Sequence, residues 1–240
     1  MRTDFKIRYH GTIAGFLWAL MKPLTMLLVL TTVFSFIFTS DPNYRLNLIV
    51  GVFLWDFFAE STKVGLLSLY AKGYLLSKSQ FPRWIPIVTS LASALFTLAV
   101  FSAATVALLA VQGRPVGPLR LGLYLLYVLQ MLLIVVGFSL GSSVLFLRYR
   151  DLNQVWELVT HAGFFVAPIV YPLDIIPERL HFWLYLWPPT AVIQFARMVL
   201  VQHRLPTPDG HLLLLAVTAT TLAGGILLFK RLAPTAAEHL

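Results

Sequence analysis

Residues 148–197 read RYRDLNQVWELVTHAGFFVAPIVYPLDIIPERLHFWLYLWPPTAVIQFAR, and the fold turns on this stretch. It opens on clustered charge at Arg148, Arg150 and Asp151 and runs through one short apolar span. It is then interrupted at Pro172, Pro177, Pro188 and Pro189 without becoming polar enough to leave a membrane. A helix needs about 20 apolar residues to cross a bilayer, and irregular backbone is costly in hydrocarbon. The expectation is a re-entrant helical segment over 172–200 that dips into the outer leaflet and returns.

The surrounding chain fits that setting. Of its 240 residues 58% are hydrophobic and 12% charged, and the mean hydropathy is +0.80, far from the balance of a soluble domain. The net charge of +8 sits in short basic clusters between apolar runs, which argues for membrane topology and against nucleic-acid binding. Cysteine is absent, which excludes disulfides and thiolate chemistry.

Apolar periodicity predicts six spans, near residues 23–40, 46–69, 84–113, 121–147, 155–171 and 212–229, in one domain covering 1–240. Phe5, Tyr9, Ile13 and Phe16 make residues 1–17 an amphipathic interface helix. The start resembles a signal peptide in charge, yet no small-residue cleavage site follows Phe38, so an uncleaved first span is expected. Lysine and arginine set the orientation. Eleven lie on the side of the termini and six on the other, where Arg197 is counted as a loop charge, so both termini are expected to be cytoplasmic.

The order R-Y-R-D-L at 148–152, A-P-I-V-Y-P at 167–172, P-E at 177–178, P-P-T at 188–190 and a closing Arg197 resembles the membrane subunit of ABC-2 type exporters. The branch it is most similar to moves polysaccharides, O-antigens, capsules or teichoic acids. The resemblance implies a permease of the cytoplasmic (inner) membrane, working as a homodimer with two copies of an ABC ATPase and exporting a lipid-linked glycan. ATP and Mg would be bound by the partner ATPase. This chain holds no G-x-x-x-x-G-K-[ST] phosphate loop, no H-E-x-x-H and no serine–histidine–acid arrangement, so no cofactor, metal or catalytic residue is expected in it. Two other readings stay open: an exporter of drugs or small amphiphiles, and a membrane-embedded glycan or phosphate transferase.

Several candidate sites follow. In the loop 70–84, Lys78 and the run Phe81-Pro82-Arg83 match the position at which the family docks on its ATPase; the plain alternative is a basic loop flanking a span. Arg148, Arg150 and Asp151 form the other inner loop, for ATPase contact or a local Arg–Asp pair. Lys6 and Arg8 are candidates for a lipid-carrier headgroup or for anionic membrane lipids; Thr3 stands where the family commonly has arginine.

Asp56, Glu60 and Lys63 share one helical face near mid-membrane. Charge at that depth must face protein or water, so the face is either a wall of the translocation path or an internal Glu60–Lys63 lock. Phe164, Phe165 and Tyr171 are path candidates that also suit an aromatic belt. Gly137 and Gly141 read as a close helix contact.

Overall fold

The computed structural model describes residues 17–38, 41–73 and 82–234. Nine α-helices and one 3-10 turn make up these residues: α1 (Leu17–Phe34), α2 (Tyr44–Ala71), α3 (Trp84–Ser90), α4 (Ala92–Val111), α5 (Pro118–Arg148), α6 (Leu152–Val166), the 3-10 turn Leu173–Ile175, α7 (Glu178–Leu186), α8 (Pro188–Leu200) and α9 (Pro208–Leu232). The expected interface helix lies outside the described residues. Among the described residues the fold is all-helical, and three helical stretches are long and apolar enough to cross a membrane: Trp84–Val111, Pro118–Arg148 and Pro208–Leu232.

Helix α2 is the axis. It packs against α1, α3, α4, α5, α6 and α8, and Leu48, Leu54, Leu66 and Leu69 along it are almost wholly buried. Its start is fixed by Asp41, whose carboxylate accepts from the Asn43 backbone N–H at 2.8 Å and from Asn47 Nδ2 at 3.2 Å. Phe53 of α2 stacks on Phe101 of α4 with centroids 4.0 Å apart. Tyr127 of α5 packs on Phe195 of α8 and meets His211 Nε2 at 2.8 Å.

Element boundaries differ from the sequence reading for local reasons. The first helix runs 17–34 rather than 23–40: Pro23 sits inside it, and the chain turns at Ser35 to Ile37. The third span breaks at Leu91, where Thr89 Oγ1 and Ser90 Oγ bond back to backbone carbonyls of Ile85 and Pro86 at 2.9 and 2.6 Å. The proline-rich stretch 172–200 is a 3-10 turn and two helices. Pro172 and Pro177 flank helical starts, and Pro188 and Pro189 occupy the first turn of α8, where a missing N–H costs nothing. Nearly all of α8 is buried.

Helices α5 and α9 approach closely at glycine. A Cβ added at Gly137 would lie 2.6 Å from Leu222 Cα and 2.7 Å from Thr221 O, and one at Gly225 would overlap the Gly137 carbonyl. At Gly141 the nearest atom is Leu228 Cδ1 at 3.3 Å, the end of a side chain that can move. Gly137→Ala is therefore expected to destabilise the protein by about 1–3 kcal/mol, the usual cost of overpacking. Gly141→Ala should cost distinctly less. Melting temperatures of the two variants in one detergent check the order.

Candidate functional site

A groove of about 920 Å³ opens between α1, α2 and α6. Helix α2 turns Val52, Trp55, Asp56, Ala59, Glu60 and Lys63 towards it, a spacing of three and four that places one helical stripe on one wall. Trp18, Lys22, Met26 and Val29 come from α1; Trp156, Glu157, His161, Phe164 and Phe165 come from α6. The structure thus brings Asp56, Glu60, Lys63, Phe164 and Phe165 together. It leaves Tyr171 out of that lining, with its hydroxyl donating to Phe165 O at 2.8 Å.

The charges of the groove pair between helices. Lys22 Nζ stands 3.4 Å from Asp56 Oδ1 and 3.8 Å from Glu60 Oε2, and Lys63 binds Glu157. This corrects the expected Glu60–Lys63 lock, because a lysine that points from α2 into the groove meets a carboxylate carried by α6. Trp156 Nε1 donates to Thr62 Oγ1 at 3.0 Å and its ring lies 4.0 Å from that of Phe138, which fixes the start of α6 against α2 and α5. Trp55 meets Phe164 edge-on at 5.8 Å. A smaller cavity of about 100 Å³, lined in part by Ser93, Thr97 and Phe101, reaches Lys22, Asp56 and Glu60 from the side of α4.

Of the inner-loop candidates, Lys78 and Phe81, like Lys6 and Arg8, lie outside the described residues. Pro82 and Arg83 immediately precede α3. Lys72 Nζ donates to Thr89 Oγ1 at 3.2 Å, tying the end of α2 to α3. Arg148, Arg150 and Asp151 are exposed. The local Arg–Asp pair is not among the described ion pairs; Arg150 instead lies 4.1 Å over the Tyr70 ring, and Arg148 5.5 Å over Tyr149. Among the described residues no group of three or more His, Asp or Glu side chains is placed to hold a metal.

At the opposite end Arg114 binds Asn43 and Arg120 meets His203 Nδ1. Desolvation, with Arg120 and Arg114 nearby, pushes the His203 imidazole below its ordinary pKa.

The residue that sequence reasoning misplaced is Arg197. It was counted as a loop charge, yet only 4% of it is exposed. Nε donates to Asn47 O at 2.8 Å, Nη1 to Pro168 O at 2.6 Å and Nη2 to Ile169 O at 2.8 Å. Gly51 leaves the room: a Cβ there would run into Nη2. Gln194 Nε2 adds a bond to Pro168 O at 3.3 Å, and the Tyr44 hydroxyl donates to Val170 O at 2.7 Å. The available signal was one arginine in an otherwise uncharged helix, downstream of the Pro168-x-x-x-Pro172 run.

With this geometry in hand, the chain compares as follows with known proteins. The family model for ABC-2 type transporters matches residues 1–201. An O-antigen export system permease protein of Klebsiella pneumoniae is 32% identical over 191 residues, 78% of this chain and 73% of that protein. One from Myxococcus xanthus is 25% identical over 96% of this chain and 89% of its own length. A polysialic acid transport protein of Escherichia coli is 22% identical over 95% and 89%.

Two outcomes are expected. Arg197→Met should lose on the order of 3–5 kcal/mol of stability, since it strands buried carbonyls, and Arg197→Lys should recover only part, because an ammonium lacks the planar fork. Detergent melting of both variants measures this. For the exposed Lys63–Glu157 pair, each charge reversal alone should weaken packing of α6 slightly, and the swap Lys63→Glu with Glu157→Lys should restore it. A double-mutant cycle on melting temperature reads that coupling.

Proposed function

The chain belongs to the ABC-2 type transporter family, and from that membership we propose that it is the permease subunit of an ABC exporter that moves a lipid-linked polysaccharide across the cytoplasmic membrane. The observation that carries the reading is the near full-length similarity to permeases named for O-antigen export and polysialic acid transport. A homodimer with two copies of a separate ATPase supplies the engine, since the sequence holds no phosphate loop. The ATPase binds the ATP and Mg.

Six crossings are assigned to α1, α2, α3 with α4, α5, α6 with the residues up to Tyr171, and α9. The support is their apolar composition and a length of about 1.5 Å per residue against a hydrocarbon core of about 30 Å. The 31 residues of α5 exceed that thickness and must tilt or protrude, whereas the 15 of α6 fall short of it. The 3-10 turn, α7 and α8 are assigned as the re-entrant element at the outer face. Both termini are placed in the cytoplasm by the excess of lysine and arginine at the loops on that side.

The groove between α1, α2 and α6 is the proposed path wall, with Asp56, Glu60, Lys63, Phe164 and Phe165 on it and Tyr171 beside its outer end. ATP-driven closure of the ATPase would act through Lys78, Phe81, Pro82 and Arg83, and through Arg148, Arg150 and Asp151. The basic loops at the inner ends of the spans favour this. The interface helix, with Lys6 and Arg8, is the candidate for meeting the phosphate groups of the lipid carrier.

The purified chain is expected to hydrolyse no ATP alone and to bring its ATPase to the membrane on co-expression. Arg83→Glu should leave insertion and melting unchanged but uncouple ATP hydrolysis from export, measured as surface glycan per ATP hydrolysed. Deleting the chain in its host should leave lipid-linked glycan inside the cell; loss of neither surface glycan nor any other exported polymer would overturn the proposal.

A further inference from the structure

We infer that the cleft between the start of α2 and the end of α4 binds the headgroup of an anionic glycerophospholipid, with the phosphate on Arg45 and Arg114 and the acyl chains along α4. The cleft has a volume of about 340 Å³. Both arginines line it, together with Leu46, Ile49 and Leu108. It lies apart from the groove between α1, α2 and α6, and its occupant does not depend on which cargo is exported.

Cationic donors are available there. Among the described residues Arg45 is exposed and takes part in no hydrogen bond or ion pair. Arg114 gives one Nη1–H to the Asn43 side-chain oxygen, which leaves most of its five N–H donors open. The nearby carboxylate of Asp41 is already taken, since it accepts from the Asn43 backbone N–H at 2.8 Å and from Asn47 Nδ2 at 3.2 Å. Arg120 adds to the same positive patch: it meets His203 Nδ1, and the His203 imidazole senses both Arg120 and Arg114. With Nδ1 accepting from a guanidinium, His203 is neutral in this arrangement and the charge of the patch is that of the arginines. Two guanidinium groups on one cleft suit a phosphate, whose oxygens accept pairs of N–H bonds from the planar fork.

Position in the bundle favours a lipid over a dissolved phosphate. The stretch Trp84–Val111 is 28 residues long and apolar enough to cross a membrane. At about 1.5 Å per residue it outspans a hydrocarbon core of about 30 Å, so its last turn stands at the level of the headgroups. On that turn Leu108 and Val111 are 37% and 85% accessible. An acyl chain covers such surface, whereas a free phosphate gains nothing from it. The net charge of the lipid matters as well, because a zwitterionic headgroup carries its own ammonium beside the phosphate and an anionic one does not.

The test reconstitutes the purified full chain in phosphatidylcholine nanodiscs doped with a phosphatidylglycerol that bears a diazirine on its acyl chain. Labelled residues are mapped by mass spectrometry, and phosphatidylcholine with the same diazirine is the control. In wild type the anionic probe should label the Leu108–Val111 turn about tenfold more than the control. Arg45→Gln with Arg114→Gln should bring the two probes to one level, and Arg45→Gln alone should cut anionic labelling about threefold.

Equal labelling of that turn by both probes in wild type would overturn the inference. So would an unchanged preference in the double variant, or loss of labelling when inorganic phosphate is added at the concentration of the probe, which would make dissolved phosphate the occupant. Arg114→Gln gives up the bond to Asn43; if the double variant does not melt like wild type, Arg45→Gln, with no described bond to lose, decides. None of these failures touches the export reading, which is measured by surface glycan.

Discussion

A buried guanidinium must have its donors occupied, because a desolvated charge left unpaired costs several kcal/mol. Arg197 meets that condition with three backbone carbonyls from two distant parts of the chain, Asn47 in α2 and Pro168 and Ile169 after α6. The carbonyl of Pro168 lacks the usual helical partner in any case, because the residue four positions on is Pro172, which has no N–H. Arg197 and Gln194 supply donors that the backbone cannot. The start of α2, the strap 167–171 and α8 therefore behave as one block, to which Tyr44 adds its bond at Val170.

That block determines where the groove lies. With the N-terminal end of α2 clamped to α8 and the strap, the end of α6 that enters the strap is held beside α2, and its Trp156 end is set by Thr62. The wall formed by Asp56, Glu60 and Lys63 then faces α1 and α6, and Lys22 and Glu157 of those two helices are the partners it meets. Small residues act at the other side of the bundle: Gly137 and Gly225 let the backbones of α5 and α9 touch, where apolar side chains would gain little against lipid.

These links divide by burial. Arg197, Gly137 and Gly225 are themselves buried, and breaking the contacts they make should threaten folding. The Lys22 and Lys63 pairs are partly exposed and bridge elements along the groove, so altering them should cost far less folding stability. The same distinction separates Asp56 and Glu60, which face the groove, from Thr62, buried on the opposite side of the same turn.

The sequence alone determined the membrane class, the helical fold, the order of the apolar helices and the stripe of Asp56, Glu60 and Lys63. These depend on composition and on a period of 3.6, which act over a few neighbouring residues. It also carried the ordered motifs between Arg148 and Arg197 that point to the family. Only the tertiary structure decided that Lys63 pairs with Glu157, 94 positions away, that Lys22 answers Asp56 and Glu60, and that Arg197 is a buried clamp and not a loop charge. Helix ends also shifted by several residues, at Ser35, Leu91 and the prolines, where side-chain bonds and missing N–H groups outweigh hydropathy. For the charges the physical reason is common: local pattern fixes which face of a helix is polar, whereas the partner a charge meets depends on which other helix the fold packs against that face.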